Sequence, residues 1–161
     1  MATATDTLRY RQVIGHFATG VAIVTCNGPD GPTGLTTNAL TSVSLEPLLL
    51  LVCFDNSSRT LPAVREVRRF AVNVLRAGQE ELAAAFASKR MATEKFESVT
   101  HTVAHGVPVL DDALAWVACE LVELLPGGDH TIGIGSVVAG GASEGEPLVF
   151  FRGGYAGLAA D

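Results

Sequence analysis

The stretch GLTTNALTSVSLEP, residues 34–47, decides the predicted fold because it places polar side chains directly before the most apolar segment of the chain. Its hydroxyl and amide residues are Thr36, Thr37, Asn38, Thr41, Ser42 and Ser44. The run LLLLVCF that follows, residues 48–54, has the composition of a buried strand. Pro47 is tolerated because it stands at the first position of that strand. We therefore predict a polar strand followed by an apolar one.

Strand and turn patterns continue on both sides of this stretch. Residues 27–34, NGPDGPTG, are typical of a hairpin turn, so residues 34–47 are predicted to form its returning strand. The other strand candidates are 21–26, 69–75, 115–125, 131–139 and 148–151. Helical patterns occur at 8–19, 61–67 and 78–90. Six or seven strands joined mostly by tight turns predict a mostly β protein, an antiparallel barrel with short helices added.

The first predicted helix has an approximate apolar face. Its members are Leu8, Val13, Ile14 and Phe17. Asp6 or Thr7 is positioned to cap the start of this helix, and Gly20 is a natural stop.

The composition limits the class of protein. A chain of 161 residues with 48% hydrophobic and 17% charged residues is long enough for a buried core, so we predict one domain over residues 1–161. The mean hydropathy of +0.33 indicates either a dense core or a large subunit interface. A net charge of −6 argues against a nucleic-acid-binding protein. Local basic clusters at 65–69 and 89–95 still permit an anion site.

The predicted location is the cytoplasm. No signal peptide precedes the first predicted helix, and the longest apolar run, 48–54, is too short to cross a bilayer. The three cysteines, Cys26, Cys53 and Cys119, lie far apart in apolar surroundings without metal-binding spacing. We expect buried, inert thiols in a reducing compartment and no metal site.

The polar stretch has two possible interpretations. In a regular strand, Thr36, Asn38, Ser42 and Ser44 point to one side. The opposite set, which is expected to fill the barrel, is Leu35, Ala39, Val43 and Leu45. Short polar side chains leave the backbone N–H groups accessible to a flat heterocycle or a phosphate. The alternative is a solvent-exposed, threonine-rich face of an antiparallel sheet.

Two further segments carry polar groups suited to a ligand. The loop DNSSRT, residues 55–60, precedes a predicted helix, whose N-terminus favours anions. Its alternative role is capping, with Ser58 or Thr60 bonded to the helix backbone. His130 follows Asp129 in the hairpin PGGDH and could donate a hydrogen bond to a ligand, or simply belong to the turn.

Seven blocks, taken in order, resemble the flavin reductase-like family, the small partners of two-component flavin-dependent monooxygenases. They are FATGVAIVT (17–25), GLTTNALTSVSLEPLLLLVC (34–53), FAVNVL (70–75), LAAAFAS with KF (82–96), GVPVLDDALAWVACEL (106–121), GGDHTIGIGSVV (127–138) and PLVFFRGGY (147–155). The resemblance covers nearly the whole chain. It implies a split antiparallel β-barrel of the FMN-binding flavin reductase type.

The resemblance also implies an activity. Members are usually homodimers that bind FMN or FAD at the subunit interface. They reduce the flavin with NADH or NADPH and release it to a flavin-dependent monooxygenase. The expected hydride transfer depends on positioning, so no side chain is assigned as a catalytic acid or base.

The expected cofactor-binding residues follow from matching positions. Those beside the isoalloxazine are Thr36, Thr37, Asn38 and Ala39. Those beside the ribityl chain and phosphate are Ser42, Val43 and Ser44. Those at the phosphate end, within the segment that begins at Cys53, are Asp55, Ser58 and Thr60. Those near the phosphate or the adenosine half of FAD are Phe86, Lys89 and Lys95.

Two residues match the nicotinamide side of such a site. His130 matches a histidine that meets the nicotinamide nucleotide, and Tyr155 is expected on the same wall. Arg59 matches no position to which the resemblance gives a role.

Three alternatives stay open at this point. The first is a non-catalytic module that holds a prosthetic flavin. The second is a split barrel of the pyridoxamine phosphate oxidase type, although the chain has few basic residues for gripping two phosphates. The third is a barrel dimer without a ligand. The sequence also does not choose between FMN and FAD, or between NADH and NADPH.

Overall fold

The computed structural model describes residues 4–159, and strands predominate. The strands are β1 (Thr19–Gly20), β2 (Ala22–Gly28), β3 (Gly31–Thr37), β4 (Leu40–Leu45), β5 (Leu48–Asp55), β6 (Arg69–Val74), β7 (His101–Ala104), β8 (Val107–Leu110), β9 (Ala115–Gly127), β10 (His130–Ala142), β11 (Val149–Phe151) and β12 (Gly154–Ala156). The helices are α1 (Ala4–Ile14), α2 (Thr60–Val67), α3 (Glu80–Ala87) and α4 (Ala92–Glu97). The expectation of a mostly β chain with short helices is confirmed.

One seven-stranded sheet forms the body of the molecule. Its strand order is β3-β2-β6-β9-β10-β5-β4, and neighbouring strands are antiparallel. The two edge strands, β3 and β4, are consecutive in the chain and are joined only by Asn38 and Ala39. The edges therefore approach each other without pairing, which confirms a split barrel. We call the line where they approach the seam.

Aromatic side chains fill the barrel where glycines make room for them. Phe54 and Phe70 are fully buried and meet edge to face with ring centroids 5.8 Å apart. A Cβ at Gly133 would lie 2.8 Å from the Phe54 ring, and one at Gly135 would lie 2.7 Å from the Phe70 ring. The sequence GIG in β10 is therefore explained by close packing inside a strand.

A buried amide joins three strands at one end of the core. Asn73 on β6 is 0% exposed, and its amide nitrogen donates to the Ile23 carbonyl at 3.0 Å and the Thr25 hydroxyl at 3.1 Å. Its amide oxygen accepts from the Leu110 N–H at 2.9 Å. The side chain thus satisfies backbone groups of both β2 and β8.

The structure corrects the first predicted helix. It ends at Ile14, and not near residue 19, because the chain turns through 15–17 and Thr19 then pairs with Phe150 in a small sheet. The predicted apolar face is exposed on this chain, and Phe17 is 72% exposed. Strand pairing therefore outweighs helical propensity after residue 14.

The prediction of a single returning strand at 34–47 is also wrong. The strand is interrupted at Asn38 and Ala39, where the Thr37 hydroxyl accepts a hydrogen bond from the Ala39 N–H at 2.9 Å. A bulge then shifts the register of β4 between Ser42 and Ser44. As a result Val43 and Leu45 do not fill the barrel, and they are 46% and 82% exposed.

The third predicted helix, 78–90, is shorter than expected. It begins at Glu80 and ends at Ala87, where the Ser88 hydroxyl donates to the Ala85 carbonyl at 2.6 Å. Elements missing from the prediction are β1, β7, β8, α4 and β12. Each spans at most six residues, which is too short for a clear periodicity.

Replacing Asn73 tests whether this amide holds the core together. We expect Asn73→Ala to lower the free energy of unfolding by about 2–3 kcal/mol, because it leaves buried backbone groups unpaired. Urea unfolding at one protein concentration measures the change. Asn27→Ala, on an exposed position of β2, is the matched control. Equal losses in the two variants would contradict the assignment.

Candidate functional site

A pocket of about 350 Å³ opens beside the seam. It lies between β3, the loop that follows β5, and the segment that joins α3 to α4. The sequence-predicted residues that line it are Thr36, Asp55, Ser58, Thr60, Phe86, Lys89 and Lys95. The structure therefore brings together six residues predicted near the phosphate or the adenosine half, and with them Thr36, which was predicted beside the isoalloxazine. They come from three separate parts of the chain.

The pocket is strongly cationic. Arg59, Lys89, Arg90 and Lys95 line it, against one carboxylate, Asp55. The chain as a whole carries a formal charge of −6, so these cations are concentrated locally. Such a concentration of one sign in a concave site attracts anions, and phosphate groups in particular.

Lys95 is the most buried of the four cations. It is 9% exposed, and its ammonium donates to the Phe86 carbonyl at 3.0 Å and the Gly34 carbonyl at 3.4 Å. Burial lowers its pKa, and the nearby charge of Arg59 lowers it further. An ammonium has three donors, so one remains available to a ligand in the pocket.

Gly34 makes room for the neighbouring aromatic wall. A Cβ at this position would lie 3.0 Å from the Phe86 ring and 3.1 Å from the Val24 carbonyl. Phe86 in turn meets Phe96 edge to face, with centroids 5.1 Å apart. The glycine therefore lets α3 and α4 pack closely against the edge strand β3.

Asp55 shapes the loop at 55–60, which follows β5. Its carboxylate accepts hydrogen bonds from both the N–H and the hydroxyl of Ser57, each at 2.7 Å. These two bonds hold the pKa of Asp55 below its usual value. The Ser58 hydroxyl accepts from the Leu61 N–H at 3.2 Å, as a helix cap does. An ionised Asp55 repels phosphate, so its geometry suits a residue that positions the loop.

The two threonines of the pocket already have protein partners. The Thr36 hydroxyl donates to the Ala83 carbonyl at 2.6 Å, and the Thr60 hydroxyl lies 3.1 Å from that of Thr33. Thr60 is 1% exposed. These side chains join β3 to α3 and α2, and so they fix two walls of the pocket.

A second group of predicted residues lies along the seam, outside the pocket. Its members are Thr37, Asn38, Ala39, Ser42, Val43, Ser44 and Cys53. The Asn38 amide donates to the Thr19 hydroxyl at 3.2 Å, and the Cys53 N–H donates to the Ala39 carbonyl at 2.9 Å. Cys53 is partly buried, which raises the pKa of its thiol. The bond between Cys53 and Ala39 holds β5 against the segment that joins β3 to β4.

The two residues predicted for the nicotinamide side lie in different places. His130 stands directly opposite Asp55, a pocket residue, in the pairing of β10 with β5, although it does not itself line the pocket. Its Nδ1 lies 2.7 Å from the Asp129 carboxylate. Tyr155 belongs to β12 in the separate small sheet, and its ring packs edge to face on Phe150 at 5.9 Å. Within the described chain the structure does not place Tyr155 on the pocket wall.

Sequence reasoning gave no role to two cations of the pocket. Arg59 lies in the DNSSRT loop, and its guanidinium is 2.8 Å from the sulfur of Met91. Arg90 follows Lys89 beyond the end of α3. The basic cluster at 89–95 indicated an anion site in general terms, whereas nothing in the sequence showed that Arg59 faces the same space.

The fold and the pocket together define a split β-barrel protein with an anion site beside its seam. The chain belongs to the family described as Flavin reductase like domain, which matches residues 14–159. The resemblance noted from the sequence is thereby confirmed.

Individual relatives agree with this assignment. The chain is 45% identical over 153 residues to the "Flavin reductase (NADH)" of Kitasatospora aureofaciens, a match that covers 91% of this chain and 79% of that protein. It is 40% identical over 151 residues to the reductase component of a 4-nitrophenol monooxygenase from Rhodococcus opacus, covering 93% and 80%. The solved NADH:FAD oxidoreductase SgcE6 of Streptomyces globisporus, in complex with NAD and FAD fragments, superposes with a TM-score of 0.91 at 35% identity, covering 100% and 98%.

Two features are absent from residues 4–159. No helix in this part of the chain has the length and apolar character needed to cross a membrane. No group of three or more His, Cys, Asp or Glu side chains within it is arranged to hold a metal ion.

Removing the charge of Asp55 tests its role in the pocket. We expect Asp55→Asn to tighten FMN binding about two- to fivefold at neutral pH, because the amide oxygen keeps the Ser57 bonds while the repulsion disappears. Quenching of flavin fluorescence measures the dissociation constant.

The control for this variant is Glu144→Gln, which makes the same charge change on an exposed residue outside the pocket. Weaker FMN binding by Asp55→Asn would indicate that the carboxylate itself contacts the ligand, contrary to the positioning role.

Proposed function

We propose that this chain is an NAD(P)H-dependent flavin reductase that reduces FMN or FAD and supplies the free reduced flavin to a flavin-dependent monooxygenase. We propose that residues 1–161 act as one reductase domain. The observation that carries the proposal is the cationic pocket beside the seam, in a chain of this family. The names of the relatives favour this activity over a non-catalytic flavin module.

The pocket residues suit the phosphate of a flavin. Arg59, Lys89 and Arg90 provide exposed cations, and Lys95 provides a buried one with a free donor. Charge-assisted hydrogen bonds from such groups to phosphate are about twice as strong as neutral ones. The loop shaped by Asp55 and Ser57 holds Arg59 in position toward this space.

The seam suits the ring system. The Ala39 N–H is already bonded to the Thr37 hydroxyl, whereas the N–H of Asn38 has no partner among the described residues. The Asn38 N–H is therefore our choice for the donor to the polar edge of the flavin. A donor at this edge stabilises the negative charge that hydride transfer brings to the ring.

The reaction requires positioning more than acid–base chemistry. Two electrons and one proton pass as hydride from C4 of the nicotinamide to N5 of the flavin, and the cofactors supply this chemistry. The protein has to hold the two rings in contact and in the correct orientation. His130 lies opposite Asp55 in the sheet and is our choice for the donor to the nicotinamide nucleotide.

We propose that the chain acts as a cytoplasmic homodimer. Large apolar side chains are exposed on α1 and after it, and again on β4 and β5. Examples are Tyr10, Val13, Phe17, Leu45 and Leu48. A partner subunit that covers them would also complete the site along the seam. The three free cysteines favour a reducing compartment.

The direct test mixes the purified full chain with FMN or FAD and with NADH or NADPH, and follows the nicotinamide absorbance. We expect the absorbance to fall when flavin is present. Crossing both nicotinamides with both flavins also identifies the preferred pair. No consumption in any combination would refute the reductase.

The role of His130 has a separate prediction. We expect His130→Ala to raise the Michaelis constant for the nicotinamide by about tenfold while that for the flavin changes little, because one hydrogen bond to a charged group is lost. His105→Ala, on an exposed turn, is the control. A larger effect on the flavin constant would contradict this role.

A further inference from the structure

A second cavity adjoins the cationic pocket. It has a volume of about 830 Å³ and runs along α3 toward the end of β8. Ser88 and Arg90 line both cavities, so the two adjoin at the end of α3. The second cavity alone has a volume in the range of sites for drug-sized ligands, well beyond that of a single phosphate. We call this second cavity the α3 groove.

The α3 groove differs from the pocket in charge. Its carboxylates are Glu81 and Asp112, and neither side chain has a hydrogen-bond or ion-pair partner among the described residues. The Asp112 backbone carbonyl, by contrast, accepts bonds from Arg76 and Gln79, which fixes its position. Free carboxylates repel a phosphate but accept hydrogen bonds from hydroxyl and amino groups.

The rest of the groove is partly apolar. Leu82, Val99 and Leu110 line it. Leu110 is buried in the core and Leu82 and Val99 pack against the same cluster, so this wall is fixed. A flat apolar ring that carries hydroxyl and amino donors fits these surroundings better than an ion does. A nucleoside has this chemistry.

Arg90 stands between the two environments. Its guanidinium has no protein partner among the described residues, and it faces both cavities. A guanidinium can bind a phosphate through its N–H groups and also stack on an aromatic ring. It therefore suits the point at which a diphosphate continues into a nucleoside.

We infer that the α3 groove binds the adenosine half of FAD, with the diphosphate in the cationic pocket, so that this chain prefers FAD to FMN. FMN ends at its phosphate and leaves the groove without a ligand. The inference rests on the proposed function, because it concerns the flavin of the same site. It extends the site to residues that the family resemblance did not assign.

Equilibrium binding of oxidised FAD and FMN to the full chain tests the inference without any turnover. We expect the dissociation constant for FAD to be about tenfold lower than that for FMN. Ala84→Trp places a large ring in the groove from an exposed position on α3. It should raise the dissociation constant for FAD about tenfold and change that for FMN by no more than about twofold.

One control and a second variant accompany Ala84→Trp. Thr93→Trp adds the same ring at an exposed position on α4 that lines neither cavity, and it should change neither constant. A second variant, Glu81→Gln with Asp112→Asn, should weaken FAD binding selectively, because it replaces one acceptor oxygen of each carboxylate by an amide donor and removes the charge without filling space. The unchanged FMN constant shows in each case that the protein is folded.

The remaining outcomes contradict the inference. Equal affinity for FAD and FMN, unaffected by Ala84→Trp, would overturn it and leave the reductase proposal intact. A rise in the Michaelis constant for NADH with unchanged FAD binding would assign the groove to the adenosine of the nicotinamide nucleotide, and would also overturn it. Binding of neither flavin would refute the proposed function itself, and the inference with it.

Discussion

The open edge of the sheet is the constraint on which the rest of the molecule depends. Because β3 and β4 do not pair, the outward backbone groups of β3 need other partners or they would attract another strand. Lys95 meets part of this need by donating to the Gly34 carbonyl, and α3 and α4 pack against β3. The Lys95 side chain, which protects the sheet edge, is therefore also a buried cation next to the seam. The fold and the anion site have one physical origin.

This arrangement has an energetic consequence. A buried ammonium loses hydration, and the lowered pKa of Lys95 reflects that loss. Arg59 adds repulsion, so the cations of the pocket destabilise one another until an anion arrives. A bound phosphate removes this repulsion and gains charge-assisted hydrogen bonds. Binding thus recovers free energy that the protein without a ligand has lost.

Much of the fold was predictable from the local sequence pattern, and the parts that were not depend on contacts between distant residues. The apolar run that became β5, the hairpin at 27–34 and the long strands β9 and β10 have clear periodicity and turn residues. The break at Asn38 was not predictable, because it depends on where two distant sheet edges meet. For the same reason the phosphate-end residues were predicted from family resemblance, whereas the presence of Arg59 in the same pocket as Lys95 is visible only in the structure. Spacing along a chain does not specify which side chains share a cavity.

The distribution of charge along the site also indicates how a ligand must lie. The pocket beside the seam carries four cations and one carboxylate, whereas the α3 groove carries two free carboxylates and a single cation, Arg90, which lines both. A phosphate that entered the groove would meet repulsion, and an adenosine in the pocket would leave the cations unpaired. Only one orientation of FAD suits both the pocket and the groove: the ring system lies at the seam, the phosphates at the cations and the adenosine in the groove. The interruption of the strand at Asn38 marks the end of the site for the ring system, and the C-cap of α3 at Ser88 lies where the pocket meets the groove. Local irregularities of the fold therefore determine the orientation of the ligand.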